Sequence, residues 1–541
     1  MKTWWVNYKY ILAFLGILTI IRIALINVNI TEWGDSFRIL RAAEYIFKFS
    51  YPLDEKRLPL FSALISPGLI FVEPVLWGRI FAVIMTLVNL ILTAVLFKTL
   101  FPKSSPKQIL LALVFLAFNP IFLYWSLRIM AETTFTALVL ASFIVYFKAN
   151  CQIGEIRAGR GNLCLLGLLL ALASLTRYEG FLLAGAFGLA WLIKKEWLKI
   201  VKTFGLWLVL TAPWFVLTKF ILKGGTSDAY VSELGTFQFN LQRFGYFLTY
   251  SLFALGFPPF ISFFVPKLFF VPKLFFVPKL EIKSRSIIKF IKTVVSSPLW
   301  LFLTFEFGLF FIWTPSLPRI MLPILPVLVI FIVAHFDDFV NQFRQNHVFK
   351  VLYLLSILGF IMLQLKFKLY FLVLSRAGLG LIVALSLLGF LTLIFRFKRL
   401  FITSILLSLI VGSVIVVANQ RLVYSTIYEA SISVKNLSGQ IAYSDETGVS
   451  AWYLEDRGVY LPQNLALDAT EQVNWLKENK ISYILDTNEF NRGSKLDVIG
   501  LNCQPRFEVT ISDILDSALM RVGFFGDRDY PKLYSQICRV L

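Results

Sequence analysis

Residues 11–30, Ile-Leu-Ala-Phe-Leu-Gly-Ile-Leu-Thr-Ile-Ile-Arg-Ile-Ala-Leu-Ile-Asn-Val-Asn-Ile, run into Thr31-Glu32-Trp33-Gly34-Asp35-Ser36. The first part is long and apolar enough to cross a bilayer, which takes roughly 20 such residues. It is too long for a signal-peptide core and has no small-x-small cleavage site, so it reads as a retained first helix. Arg22 interrupts it, and its long side chain is expected to snorkel toward the outer interface. The second part places two acids where the chain leaves the membrane.

The rest of the chain repeats the theme. Of 541 residues 58% are hydrophobic, 16% are charged and 55 are Phe, with mean hydropathy +0.74. Helices are expected near 10–29, 78–97, 108–126, 131–148, 163–176, 180–193, 203–221, 246–265, 297–313, 320–335, 350–365, 378–395 and 400–418, with short neighbours such as 163–176 broken or partly buried. The fold class is therefore a polytopic α-helical membrane protein of about 11–13 transmembrane helices.

The net charge of +20 would suggest nucleic acid in a soluble protein. Here the basic residues fill short loops: Lys98, Lys103 and Lys107; Lys148, Arg157 and Arg160; Lys194, Lys195, Lys199 and Lys202; Lys267 to Lys292; Arg396, Lys398 and Arg399. They place these loops and the N-terminus in the cytoplasm. No nucleic-acid partner is expected. An odd helix count then puts everything after about Val417 outside.

Two domains follow: 1–419 in the membrane, with a long first outer loop at 30–77, and 420–541 as a small extracytoplasmic α/β domain. In the latter, Gly439–Tyr443, Val459–Leu461, Ile481–Leu485 and Arg506–Ile511 read as strands. Asp468-Ala-Thr-Glu471 has capping-box spacing ahead of a helix. Cys503 and Cys538 lie there, paired or free. With only His335 and His347, and no CxxC, zinc is not expected. Phe-Phe-Val-Pro-Lys-Leu occurs three times between Phe263 and Leu280; Pro every sixth residue forbids a regular helix, leaving an interfacial loop or a Phe/Lys foot on anionic lipid.

The polar motifs gather at the outer helix ends: Glu32–Asp35, Arg128–Glu132, Thr176–Gly180 and Pro315–Arg319. Ionisable groups at bilayer depth are costly and mark function. Each also admits a structural role. Asp35 suits a helix cap, and Arg128 and Glu132, four apart, suit a pair on one helix face. Arg177–Gly180 suits a helix corner, and Arg319 an interfacial anchor. Together they offer guanidiniums, which grip phosphate by bidentate charge-assisted hydrogen bonds, beside carboxylates.

With these motifs on view, the chain resembles the GT-C superfamily of membrane glycosyltransferases, near the protein O-mannosyltransferase and aminoarabinose-transferase group. The resemblance rests on Glu32-Trp-Gly-Asp35, Arg57-Leu-Pro59, Arg128-Ile-Met-Ala-Glu132, Leu175-Thr-Arg177-Tyr-Glu179-Gly180 and Pro318-Arg319-Ile-Met-Leu-Pro323-Ile-Leu-Pro326, in that order over roughly 10–335. It implies an inverting transfer of sugar from a polyprenyl-phosphate donor to a lipid, glycan or protein acceptor, with Asp35 as catalytic base. Arg57, Arg177 and Arg319 are then candidates for the phosphate, and Glu132 for the sugar or acceptor. Glu32, Arg128 and Glu179 complete the substrate-binding candidates. No cofactor is expected. Gly34-Asp35-Ser36 stands where the family carries paired acids, which leaves a divalent metal without support. The site is expected at the plasma membrane's outer face, among membrane lipids. A polytopic transporter or lipid flippase is the alternative.

Overall fold

The computed structural model describes residues 2–52, 55–151, 160–221, 257–260, 295–312, 318–367, 376–445, 448–461, 469–489, 501–510 and 532–540. The triple repeat and all but 257–260 of the expected helix at 246–265 lie outside these residues.

The helices, in chain order, are α1 (Lys2–Ala24), α2 (Gly34–Phe47), α3 (Leu60–Ile65), α4 (Pro74–Leu100), α5 (Pro106–Ala117), α6 (Pro120–Trp125), α7 (Ala131–Cys151), α8 (Arg160–Thr176), α9 (Glu179–Ile193), α10 (Trp197–Val216), α11 (Pro298–Ile312), α12 (Leu325–Ala334), α13 (Phe336–Gln345), α14 (His347–Phe367), α15 (Arg376–Ile394), α16 (Lys398–Gln420), α17 (Ser425–Ser433), α18 (Val449–Leu454) and α19 (Ala469–Glu478). Among the described residues, five helices are long and apolar enough to cross a membrane: those of α4, α7, α10, α14 and α16. The pair α12–α13, bent by 57°, makes a sixth. Shorter apolar helices pack around them.

Their ends follow local chemistry. Glu73 caps α4 by accepting from the Val75 and Leu76 amides at 3.0 and 2.7 Å, with Pro74 at the first helical position. Ser105 and Gln108 form a reciprocal capping box at α5.

Three expectations need correction. The helix expected at 108–126 is two, because Asn119-Pro120 cannot continue a helix; Asn119 instead caps α6 through the Ile121 and Phe122 amides. Arg22 does not snorkel. It is fully buried and donates to the carbonyls of Ala117 and Leu123, acceptors that the α5–α6 break makes available. The helix expected at 320–335 starts late: Pro318–Met321 is a 3-10 turn and α12 begins at Leu325, after Pro323.

Among the described residues, five strands, β1 (Gln440–Tyr443), β2 (Gly458–Tyr460), β3 (Ile481–Thr487), β4 (Asn502–Thr510) and β5 (Lys532–Arg539), form a sheet of order β2-β1-β3-β5-β4. The first three are parallel, and β5 lies antiparallel to both β3 and β4. Both faces are covered: Ala430 of α17 and Val434 just past its end pack on Ile441, Leu485 and Ile537, and Leu476 of α19 packs with Ala442, Ile481 and Ile484. Cys503 and Cys538 face each other across β4–β5 and are disulfide-bonded. The sequence reading missed β5, although Leu533, Ser535 and Ile537 alternate at strand period.

This sheet unit is anchored to the helix that follows the first apolar run. Phe37 stacks on Trp452 at 5.4 Å and meets Tyr453 edge-on at 5.5 Å, while the Thr31 and Tyr453 hydroxyls are 3.3 Å apart. The Ile30 amide donates to the Arg421 carbonyl. The position of α2, and so of Asp35, is thereby shared between the two parts of the chain.

Candidate active site

Asp35 lies in the first turn of α2, where Trp33 occupies the cap position and makes no side-chain cap bond. The carboxylate serves the cleft instead. Oδ1 accepts from Arg57 Nη2, and Oδ2 accepts from Arg319 Nη1 at 2.9 Å. Burial pushes this carboxyl upward. The guanidiniums of Arg57 and Arg319 outweigh that and hold it well below the usual carboxylate range.

Arg57 is held from both sides. Its Nη1 and its amide donate to Glu55 Oε1 at 2.8 Å, and its carbonyl accepts from the Tyr51 hydroxyl at 2.7 Å. The Tyr178 hydroxyl donates to the Lys56 carbonyl at 3.4 Å, tying the loop to the α8–α9 corner.

At that corner Arg177 donates from Nη1 to Glu132 Oε1 and from Nε to Glu179 Oε1 at 3.0 Å. Arg319 Nε lies 3.4 Å from the same Glu132 oxygen. The corner needs Gly180: a Cβ there would stand 2.4 Å from the backbone of Ala173 and Ser174 on α8. Burial lowers the affinity of Arg319 for its proton. Glu132 and Asp35 more than restore it, so Arg319 stays cationic. Its guanidinium also sits 5.7 Å from the Trp125 ring centre.

Asp35, Arg57, Glu132, Arg177, Glu179 and Arg319 thus line one cleft, with Leu58, Phe61, Met130, Thr176, Tyr178 and Ile320. Six of the eight residues singled out from sequence converge there. Among the described residues, no three His, Cys, Asp or Glu side chains are grouped as metal ligands.

Glu32 and Arg128 belong to a layer beneath. Both are fully buried. Glu32 Oε1 accepts from Arg79 Nε at 2.7 Å, and Oε2 lies 3.8 Å from Arg128 Nη1, which donates to the Thr31 carbonyl at 2.6 Å. Arg79 also donates to Asn27 Oδ1 and the Asn29 carbonyl. This network holds residues 27–32, the turn that delivers Asp35. Trp33 braces it from the other side, its indole donating to the Tyr124 hydroxyl at 2.6 Å. The shared helix face expected for Arg128 and Glu132 does not form, because α7 starts only at Ala131; their partners are Thr31 and Glu32 for one, Arg177 and Arg319 for the other.

Sequence reasoning passed over two participants. Arg79 is an arginine in the outer turns of an apolar helix, a pattern that itself signals a buried partner. Glu55 sits two residues before Arg57, in the charged run Asp54-Glu55-Lys56-Arg57.

No protein-family model matches the sequence, and none of the curated proteins matches it. Solved structures do. The chain is similar to ArnT from Cupriavidus metallidurans bound to undecaprenyl phosphate, with TM-score 0.61, 13% identity and 98% of each chain covered. The same protein in its apo state gives 0.59 at 13% identity over the same shares. The Archaeoglobus fulgidus oligosaccharyltransferase in its apo form gives 0.50 at 12% identity, over 89% of this chain and 70% of that one. ArnT, an aminoarabinose transferase, and the oligosaccharyltransferase are GT-C glycosyltransferases, and this chain has the fold they share.

Proposed function

We propose that this protein transfers a sugar from a polyprenyl-phosphate-linked donor to an acceptor hydroxyl or amine at the outer membrane face, by a single inverting displacement with Asp35 as base. The observation that carries the proposal is the carboxylate of Asp35 held between two guanidiniums of a cleft that contains a third, Arg177. The similar ArnT structure has undecaprenyl phosphate bound, which favours a lipid phosphate as the anion these arginines meet.

The chemistry follows from charge. Each cleft arginine already faces a carboxylate: Arg57 meets Asp35 and Glu55, Arg319 meets Asp35 and Glu132, and Arg177 meets Glu132 and Glu179. An arriving phosphate competes for these donors. As Arg57 and Arg319 turn to it, Asp35 loses both partners and regains basicity. Asp35 then takes the proton of the acceptor as the acceptor heteroatom bonds to the anomeric carbon. The bond from that carbon to the phosphate oxygen breaks, and its electron pair leaves with the phosphate. The arginines stabilise the growing negative charge, so the leaving group needs no acid. The anomeric centre is oxocarbenium-like at the transition state and inverts in one displacement.

The placement proposed with this reaction is a multi-pass plasma-membrane protein of about 11–13 spans, with a cytoplasmic N-terminus. Residues 1–419 are the membrane part and 420–541 the extracytoplasmic domain. The Cys503–Cys538 disulfide favours the oxidising side for the latter.

The test is transfer of labelled sugar from a polyprenyl-phosphate donor pool in membranes, wild type against Asp35→Asn at matched protein level. A positioned base is worth about 10²–10⁴-fold, and a loss of that size is expected. Undiminished transfer by Asp35→Asn would remove Asp35 from the mechanism.

A further inference from the structure

α11 is an apolar helix with one ionisable residue, Glu306. Glu306 is fully buried, and neither carboxyl oxygen has a hydrogen-bond partner among the described residues. Such a carboxyl is costly and is retained where something uses it. α11 packs along α9, whose first residue is Glu179. The charged groups facing Glu306 are Glu179 and Arg177, both of which line the cleft.

A second unpartnered acceptor lies in the same neighbourhood. Glu132 uses Oε1 for Arg177 and Arg319, while its Oε2 is buried with no partner among the described residues. Arg177 itself is bonded to Glu132 and Glu179, so one cleft carboxylate, Glu132, and one carboxyl buried behind the cleft wall, Glu306, have oxygens without a donor among the described residues. A fully ionised phosphate cannot satisfy those oxygens, since it brings only acceptors. A ring bearing several O–H donors can.

We propose that Glu306, with Glu132, forms the subsite that receives hydroxyl groups of the donor's sugar ring, behind the Arg177–Glu179 pair. This assignment rests on the glycosyl-transfer reading above. It divides the site by chemistry: the cleft arginines for the lipid phosphate, the unpartnered carboxyl oxygens beside and behind them for the sugar. A buried carboxyl left unsatisfied by bare lipid phosphate, and satisfied by a glycosylated one, provides discrimination between donor and spent carrier. Sites built to hydrogen-bond a substrate hydroxyl reject analogues that lack it more strongly than apolar pockets can.

The experiment compares binding of bare polyprenyl phosphate with binding of a panel of polyprenyl-phosphate hexoses and pentoses to the purified full chain. Wild type, Glu306→Gln and Glu306→Leu are measured together. Leu is close in size and suits the apolar surroundings, so it is expected to fold; Gln keeps an acceptor. The wild type is expected to bind at least one glycosylated lipid more tightly than the bare phosphate. Glu306→Leu should lose about tenfold on that lipid and nothing on the bare phosphate. Glu306→Gln should fall between. A sugar increment that survives Glu306→Leu overturns the subsite. So does a wild type that binds bare phosphate but gains nothing from any sugar, an outcome that leaves the arginine clamp standing. Failure of wild type to bind either lipid overturns the glycosyl-transfer reading and the subsite with it.

Discussion

Replacing Arg319 by Gln should raise the pH at which the enzyme loses activity on acidification. Asp35 has one guanidinium on each oxygen, Arg57 on Oδ1 and Arg319 on Oδ2 at 2.9 Å. Burial raises its pKa, and the two arginines prevail, leaving it well below the usual carboxylate range. The basic form of the unliganded enzyme therefore survives into strong acid and is lost only as pH falls through that depressed value. A single opposite charge at this distance lowers a carboxyl by about 1–3 units, so removing one of two returns roughly 1–2 units. The acid limb of kcat/KM, which reports the free enzyme, should move up by that amount in Arg319→Gln and much less in Arg319→Lys, which keeps the charge. The same linkage makes the native state less stable at neutral pH, by about 1.4 kcal/mol for each unit restored. Wild-type kcat, which reports the donor complex, should already show a higher limb than kcat/KM, because the phosphate has drawn the arginines away. The assay is a pH series of sugar transfer at limiting and saturating donor. If the kcat/KM limb of Arg319→Gln coincides with that of wild type, Asp35 is not the group whose ionisation gates the reaction.

Other consequences follow from the same geometry. Glu32→Ala or Arg79→Ala breaks a buried ion pair and should cost about 3–5 kcal/mol, read as a lower melting temperature in detergent. Their effect on donor KM per folded molecule should be slight, since neither residue lines the cleft. Gly180→Ala forces a methyl group against the α8 backbone and should cost about 1–3 kcal/mol. It should also lower kcat per folded molecule, because the collision displaces Arg177 and Glu179; unchanged kcat would mean that the corner tolerates the shift. Reducing the Cys503–Cys538 disulfide, or replacing either cysteine by Ser, should destabilise the sheet by about 2–4 kcal/mol. Limited proteolysis should then cut within 501–540 faster, with melting of the helical part unchanged.

Much of the molecule is readable along the chain because the underlying physics is local. Apolar length makes the membrane helices, and alternation marks β1 to β4. The acids and arginines at the outer helix ends stand out because charge is rare in this composition. Five of them, with Arg57 of the first outer loop, do meet in one cleft. Local patterning also sets where reading fails. The i,i+4 spacing of Arg128 and Glu132 predicts a shared helix face, but the chain between α6 and α7 is not helical, and the two side chains point to different partners. Arg22 looks like a residue seeking water, yet it finds carbonyls exposed by a break ninety-five residues away.

The amino-acid sequence by itself determined the class of protein, the placement of most helices, strands β1 to β4 and most of the residues with chemistry to offer. Tertiary structure alone decided their division of labour: Asp35 between Arg57 and Arg319, Glu32 and Arg128 withdrawn into a supporting layer with Arg79, and Glu306 buried beside Arg177. Hydrophobic length and period act between neighbours in sequence, whereas an ion pair takes whichever partner the packing of distant helices brings within about 4 Å.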